Sequence, residues 1–385
     1  MTTQITRREL LAGLGAALAV KQPARAAAPA SPVAVAKCKS YGSELLPTLE
    51  RMFDQLGGMG RLVKGKTVTI KINLTGDVNY RLGYRPAELA HWTHPRVTAA
   101  VTHLLGKAGA RRIRIVECPW STADPLEEVM LQANWSPSMF LSAAPRVEFE
   151  NTNWLGSGKK YVRVFPPHGG YIYKSYELNH CYEDTDVFVS IAKMKEHATT
   201  GVTLSMKNCF GITPCTIYGT GARDQGEPTK FPQGGREVFH RGRWQPPGNP
   251  EIDPNSPRDD GYRVPRIVAD LVAARPIHLA VVEGIESMGG GEGPWIRGSY
   301  PNSPGLLVAG LNPVCTDAVC TALMGFDPMA DRGTAPFEKC DSTLRLAEEL
   351  GVGTRDLSRI EVIGTPIREA VYPFRQKGQP ARGRS

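Results

Sequence analysis

The sequence predicts an α/β fold: a mostly parallel sheet flanked by helices, with an antiparallel β insertion and a long Gly/Pro-rich loop. Residues 67–117 read strand, helix, strand, and two strands joined through a helix run parallel. Residues 186–192 are a short, almost unbroken apolar run, the pattern of a strand covered on both faces. The composition, 41% hydrophobic and 22% charged over 385 residues, is that of an ordinary globular chain. It excludes a collagen-like rod, a coiled coil and a disordered tail protein.

Taken in order, residues 32–38 form a short strand and residues 43–56 a helix with Pro47 in its first turn. In residues 67–73, Val68, Ile70 and Ile72 alternate with Thr69, Lys71 and Asn73, which is a strand. A loop leads to His94-Pro95, where a helix begins; it runs to Leu105 and is ended by Gly106 and Gly109. Residues 112–117 are the next strand. Residues 119–145 read as an insertion with one short helix. Strands follow at 147–151, 161–165 and 171–178, the last two joined by Pro166-Pro-His-Gly-Gly170 as a hairpin. Residues 202–210 read as a short helix. From 211 to 261 the chain holds 17 Gly or Pro in 51 residues, the mark of a lid, a binding loop or disorder. Its Tyr218, Phe231, Phe239 and Trp244 favour a packed loop. Regular structure resumes with a helix at 265–274, strands at 278–283 and 306–309, helices at 313–324 and 344–350, and a strand at 360–363.

The net charge of +8 sits at the ends. Residues before 27 contribute +3 and residues 375–385 contribute +4, so the body, 27–374, carries only +1. A nearly neutral body is not a phosphate-backbone surface, which excludes nucleic acid as a partner. Arg7-Arg8 opens an eleven-residue apolar run ending at Val20, followed by Ala24-Arg25-Ala26. This run is too short to span a bilayer and suits a signal of the twin-arginine type. The expected organisation is a signal at 1–26, one α/β domain at 27–374 with insertions at 119–180 and 211–261, and a basic tail at 375–385. The expected location is periplasmic or otherwise exported, with the twin-arginine machinery as a partner and no stable membrane insertion after processing. The eight cysteines form no C-x-x-C pair and read mostly as small buried hydrophobes.

Ligands of open α/β sheets collect beyond the carboxyl ends of the strands, and those ends are polar here. One gives Lys71 and Asn73 on a common face; others give Glu117, then Lys193, Lys195 and His197, then Glu283. Lys193 and Lys195 repel unless an anion, a carboxylate or a lowered pKa relieves them. That suits a site for a carboxylate or phosphate compound, or a lysine acting as base or nucleophile. His91 and His94 are three residues apart, but Pro95 makes His94 the residue that opens a helix. The segment 287–294 is Gly-rich and reads as an anion cradle or a plain turn. No nicotinamide, nucleotide or local iron–sulfur motif is written. Asp317, in a helix start, reads as a dipole partner or a ligand.

These motifs, in order, resemble a known family. Lys71-x-Asn73, His94-Pro95 and Glu117 precede Lys193-Met-Lys195-x-His197. The next block is Gly201-Val-Thr-x-x-x-Lys207-Asn208-x-Phe210-Gly211. Gly291-x-Gly293-Pro294 and Asn312-Pro313-Val-x-x-Asp317 complete the set. The chain resembles the family catalogued as domain of unknown function 362 over roughly residues 65–330. Some of its members are fused to ferredoxin-like iron–sulfur modules, and this chain lacks their cysteine cluster. The resemblance adds Lys207 and Asn208 to the candidates without assigning them roles.

The expected function is an enzyme acting on a small anionic molecule. Lys193, Lys195, His197 and Glu117 are its catalytic candidates, and Lys71, Asn73, Lys207, Asn208 and Glu283 bind. The rivals are a metal or redox-cofactor carrier, with Cys209, Cys215 and His197 as soft-metal ligands, and a solute-binding protein closed by the long loop.

Overall fold

The structure, a computed structural model, describes residues 27–119, 124–219, 236–242, 245–246 and 248–375. The predicted signal, almost all of the basic tail and much of the Gly/Pro-rich loop, Phe231 and Trp244 included, lie outside the described residues.

Fourteen strands are described. They are β1 (Val33–Lys37), β2 (Thr67–Lys71), β3 (Arg112–Glu117), β4 (Val147–Asn151), β5 (Val162–Val164), β6 (Tyr176–Leu178) and β7 (Val187–Lys193). Next come β8 (Lys195–His197), β9 (Gly201–Thr203), β10 (Leu279–Gly284), β11 (Ser287–Gly289), β12 (Tyr300–Asn302), β13 (Leu306–Gly310) and β14 (Val362–Gly364). Eight build one sheet in the order β14-β1-β13-β10-β7-β2-β3-β4. Every neighbouring pair is parallel except those made by β13, which runs against both β1 and β10. The predicted fold class is therefore the observed one.

Helices cover both faces. On one face Val187, Val189 and Ile191 of β7 pack in a core with Leu49 and Val101 from the helices Leu45–Gln55 and Pro95–Lys107. On the other, Phe188 and Ala192 join Ile267, Leu271 and Val319 from the helices Asp260–Ala274 and Pro313–Leu323. Adjacent residues of β7 thus serve two cores, which is why the run reads as continuously apolar. In β2 the polar half of the alternation is buried as well: Lys71 is 1% exposed, and Thr69 Oγ1 bonds the Cys181 carbonyl at 3.4 Å.

Four local expectations are corrected. Residues 119–145 are no insertion: the helices Leu126–Gln132 and Pro137–Leu141 are the crossover from β3 to β4, which lies parallel beside it. The antiparallel insertion reduces to the β5–β6 ribbon. Val202 and Thr203 extend as β9 against β8, and the helix begins only at Ser205, where its start is capped from another segment; Ser205–Asn208 is α-helical and Cys209–Ile212 continues as a 3-10 turn. The 260s helix begins at Asp260, not at Pro265. Asp259 caps it, and the Gly261 carbonyl, deprived of a donor by Pro265, accepts the Asp341 N–H at 2.9 Å.

Candidate functional site

Because β2, β3, β7 and β10 are parallel, their carboxyl ends share one edge of the sheet, and register pairs the charges found there. Lys193 and Glu283 are direct cross-strand partners, with Nζ 2.5 Å from Oε1 and both side chains fully buried. Lys71 Nζ lies 2.5 Å from Glu117 Oε1, also buried. Glu117 further accepts the N–H groups of Cys118 at 2.7 Å and Leu74 at 2.6 Å.

An ammonium has three hydrogens to donate, and three of the four lysines spend all of them on the protein. Lys193 donates to the carbonyls of Glu88 at 2.9 Å and Glu286 at 3.0 Å as well as to Glu283. Lys71 donates to the Ile72 carbonyl at 2.6 Å and to Asn208 Oδ1 at 3.3 Å as well as to Glu117. Lys195 donates to the carbonyls of His91 at 2.7 Å and Glu292 at 2.8 Å, and to Asn73 Oδ1 at 3.5 Å. The Gly-rich segment 287–294 thus supplies a carbonyl for a lysine. Burial pushes the Lys193 ammonium down and the Glu283 carboxyl up, and their mutual attraction opposes both shifts. Lys195 is pushed well down by burial, with Glu292 pulling the other way and Lys193 and Lys207 adding to the fall.

Asn208 ties the two networks together. Its Oδ1 accepts from Lys71 and, at 3.1 Å, from Asn73; its Nδ2 reaches Ser190 Oγ at 3.0 Å and the Ile191 carbonyl at 3.2 Å. Lys71 and Asn73 meet the same partner, as their shared face predicts. The Ser205–Asn208 turn is fixed by Asp317 on the helix Pro313–Leu323. One carboxylate oxygen accepts Ser205 N and Oγ at 2.9 and 2.6 Å, and the other accepts Met206 N at 2.9 Å. Asp317 therefore caps a neighbouring helix, and burial lifts its carboxyl to about 7 against these donors. Asp317→Asn turns one acceptor oxygen into a donor facing a backbone N–H. It is expected to cost about 1–3 kcal/mol, read as a lower thermal midpoint; an unchanged midpoint removes the capping role.

Successive helical residues diverge by about 100°, so with Asn208 turned inward Lys207 emerges elsewhere. Lys207 is half-buried, its Nζ 4.3 Å from the centre of the Phe210 ring. It has no hydrogen-bond or ion-pair partner among the described residues. Burial lowers it to about 7; Glu292 favours its charged form, while Arg236 and Lys71 disfavour it. Gly211 lets the Lys71 side chain pack against the backbone, since a Cβ there would stand 3.1 Å from Lys71 Nζ.

His197 is largely buried beside this lysine. Its Nδ1 accepts the Thr199 N–H at 3.0 Å, so its proton is on Nε2, and the Glu292 carboxylate 3.7 Å from Nδ1 is no hydrogen bond. Burial, with Lys207 next, holds it neutral well below the ordinary range. His94 accepts the Arg96 N–H as a helix cap and stacks on Tyr41 with ring centres 3.5 Å apart. His91 is fully buried, its ring edge-on to Trp92 and Trp295, and neither ring nitrogen has a partner among the described residues. The two rings have separate surroundings, and His94 opens the helix Pro95–Lys107 as Pro95 predicts.

The soft-metal set is not assembled. Cys209 is in the core, its Sγ 3.8 Å from the Ser205 carbonyl, and Cys215 packs on Cys118. Among the described residues no three of His, Cys, Asp and Glu gather as metal ligands. All eight cysteines are buried. No helix among the described residues is long and apolar enough to cross a membrane. Two residues carrying no role in the sequence reading emerge at the site. Glu292 takes the Ala198 N–H at 3.0 Å. Arg236 comes from within the Gly/Pro-rich stretch 211–261, and no local motif marks it.

A family model described as domain of unknown function (DUF362) matches residues 68–322. A thylakoid-associated protein of Synechocystis sp. is 25% identical over 298 residues, 77% of this chain and 75% of that protein. Solved structures with a partial likeness include a Thermotoga maritima protein, at 14% identity and TM-score 0.34, covering 66% of this chain and 52% of that one. Another is the lactate racemase apoprotein of Thermoanaerobacterium thermosaccharolyticum, at 10% identity and TM-score 0.34, covering 71% and 54%. The chain spans about half the length of either solved protein.

Proposed function

We infer that this chain, which belongs to the family described as domain of unknown function DUF362, binds a small anionic molecule at the Lys207 face and acts on it chemically. One observation carries the reading. Lys71, Lys193 and Lys195 have no donor left to offer, whereas Lys207 keeps its donors free among the described residues. The strand-end lysines build the platform, and Lys207 receives the carboxylate or phosphate group.

The roles follow from protonation. With its midpoint at about 7, Lys207 exchanges a proton at neutral pH, a cation against an anion and a free amine without one. His197, neutral with Nε2–H, serves as a hydrogen-bond donor to developing negative charge. Glu117 and Glu283 hold lysines in place and are positioning residues. The twin arginines, short apolar run and Ala24-Arg25-Ala26 support export of the folded chain by the twin-arginine route.

Bound anion favours charged Lys207, so binding above pH 7 takes up a proton. Sulfate, which does not titrate in this range, should bind most tightly below about pH 7 and weaken by up to about tenfold per pH unit above it. Calorimetric titrations from pH 6 to 9 test this, and affinity independent of pH would overturn the role of Lys207. NMR of small carboxylates and phosphate esters incubated with the full chain reads turnover. Binding without conversion would make it a solute-binding protein.

A further inference from the structure

Phe210 carries a second cation on its ring. The Arg236 guanidinium lies 5.7 Å from the centre of the ring that Lys207 approaches to 4.3 Å. Arg236 is 7% exposed and its plane is fixed by Thr213, whose carbonyl and hydroxyl oxygens lie 2.7 and 2.9 Å from Nε. Nη2 is buried and has no acceptor among the described residues, and the Cys118 thiol is a hydrogen-bonding neighbour of the guanidinium. Arg236 has no carboxylate partner among the described residues. Glu117, the acid whose charge it feels, has its oxygens engaged by Lys71, Cys118 N and Leu74 N. Cys118 and Cys215 also face it, and burial first, then its neighbours, raise the Cys118 thiol well above the ordinary range.

Two cations over one ring, neither neutralised by a described residue, repel each other. A buried N–H without an acceptor costs about 1–3 kcal/mol, more when charged. An oxyanion spanning the two would remove both penalties, and its oxygens would take charge-assisted hydrogen bonds.

We propose that Lys207 and Arg236 form a two-cation clamp over Phe210 that takes one oxyanion group, one oxygen on Nζ and another on Nη2. The clamp rests on the reading that Lys207 receives the anion, and adds Arg236 as the second anchor and Phe210 as an apolar floor under the ligand. The ligand class is a compound with a carboxylate or a tetrahedral oxyanion next to a carbon skeleton.

The test uses the full chain at pH 6, with sulfate as the tetrahedral probe and acetate as the carboxylate probe. Arg236→Gln should weaken the preferred probe about ten- to hundredfold. Arg236→Lys, which keeps the charge and loses the fork, should restore part of the affinity. The thermal midpoint without anion should be the same in Arg236→Lys as in the wild type, which separates lost binding from lost folding. In a double-mutant cycle with Lys207→Met the two losses should be non-additive, since both residues hold one group. Wild-type affinity in Arg236→Gln with lost affinity in Lys207→Met overturns the clamp and leaves the Lys207 reading standing. Wild-type affinity in both overturns both.

Discussion

Lys207→Met is expected to weaken sulfate or acetate binding about ten- to hundredfold, the worth of a charge-assisted hydrogen bond in a partly buried site. It should do so without lowering stability. The lowered midpoint, about 7 against 10.5 for a free lysine, means the folded chain binds this proton more weakly than the unfolded chain. Stability therefore rises as pH climbs from about 7 towards 10.5, and the cost of charging Lys207 is fully present below 7. Methionine keeps the apolar stem and removes that cost, so at pH 6 the thermal midpoint should hold or rise. The contribution of this residue to the pH dependence should vanish. A large fall in the midpoint would assign Lys207 a structural role instead.

Breaking the Lys193–Glu283 pair should have the opposite signature. Both side chains are fully buried and 2.5 Å apart. Glu283 also accepts the His94 N–H at 2.9 Å and the Tyr41 hydroxyl at 3.1 Å. Removing one member strands a buried charge, at a cost of about 3–5 kcal/mol. Lys193→Met and Glu283→Gln should each lower the thermal midpoint sharply. The double variant should recover part of the loss, because no lone charge remains. A Lys193→Met protein as stable as the wild type, yet unable to bind anion, would return Lys193 to the ligand site.

Much of this arrangement is legible from residue order. The alternation in β2, the apolar run of β7 and the βαβ step predict parallel strands, and parallel strands bring Lys71, Glu117, Lys193 and Glu283 to one edge. What residue types do not reveal is how many donors each lysine has left. Lys193 and Lys195 look alike in sequence to Lys207. The carbonyls of Glu88, Glu286, His91 and Glu292, from distant segments, take most of the donors of the first two and none of the third's. Backbone acceptors leave no mark on composition. The same holds for Pro265, read as a helix start because its lost hydrogen bond is compensated by Asp341 from another segment. Arg236 was hidden for a different reason, lying within a Gly/Pro-rich stretch that offers no periodicity.

The most direct measurement of the central claim is a titration of the lysine ε-methylene groups of the full chain by heteronuclear NMR, with and without sulfate. One lysine should titrate near 7, its midpoint should rise when sulfate is added, and its signal should be missing from Lys207→Met. Lysines that all titrate near the ordinary value of about 10.4, or a low midpoint that sulfate leaves in place, would contradict the account.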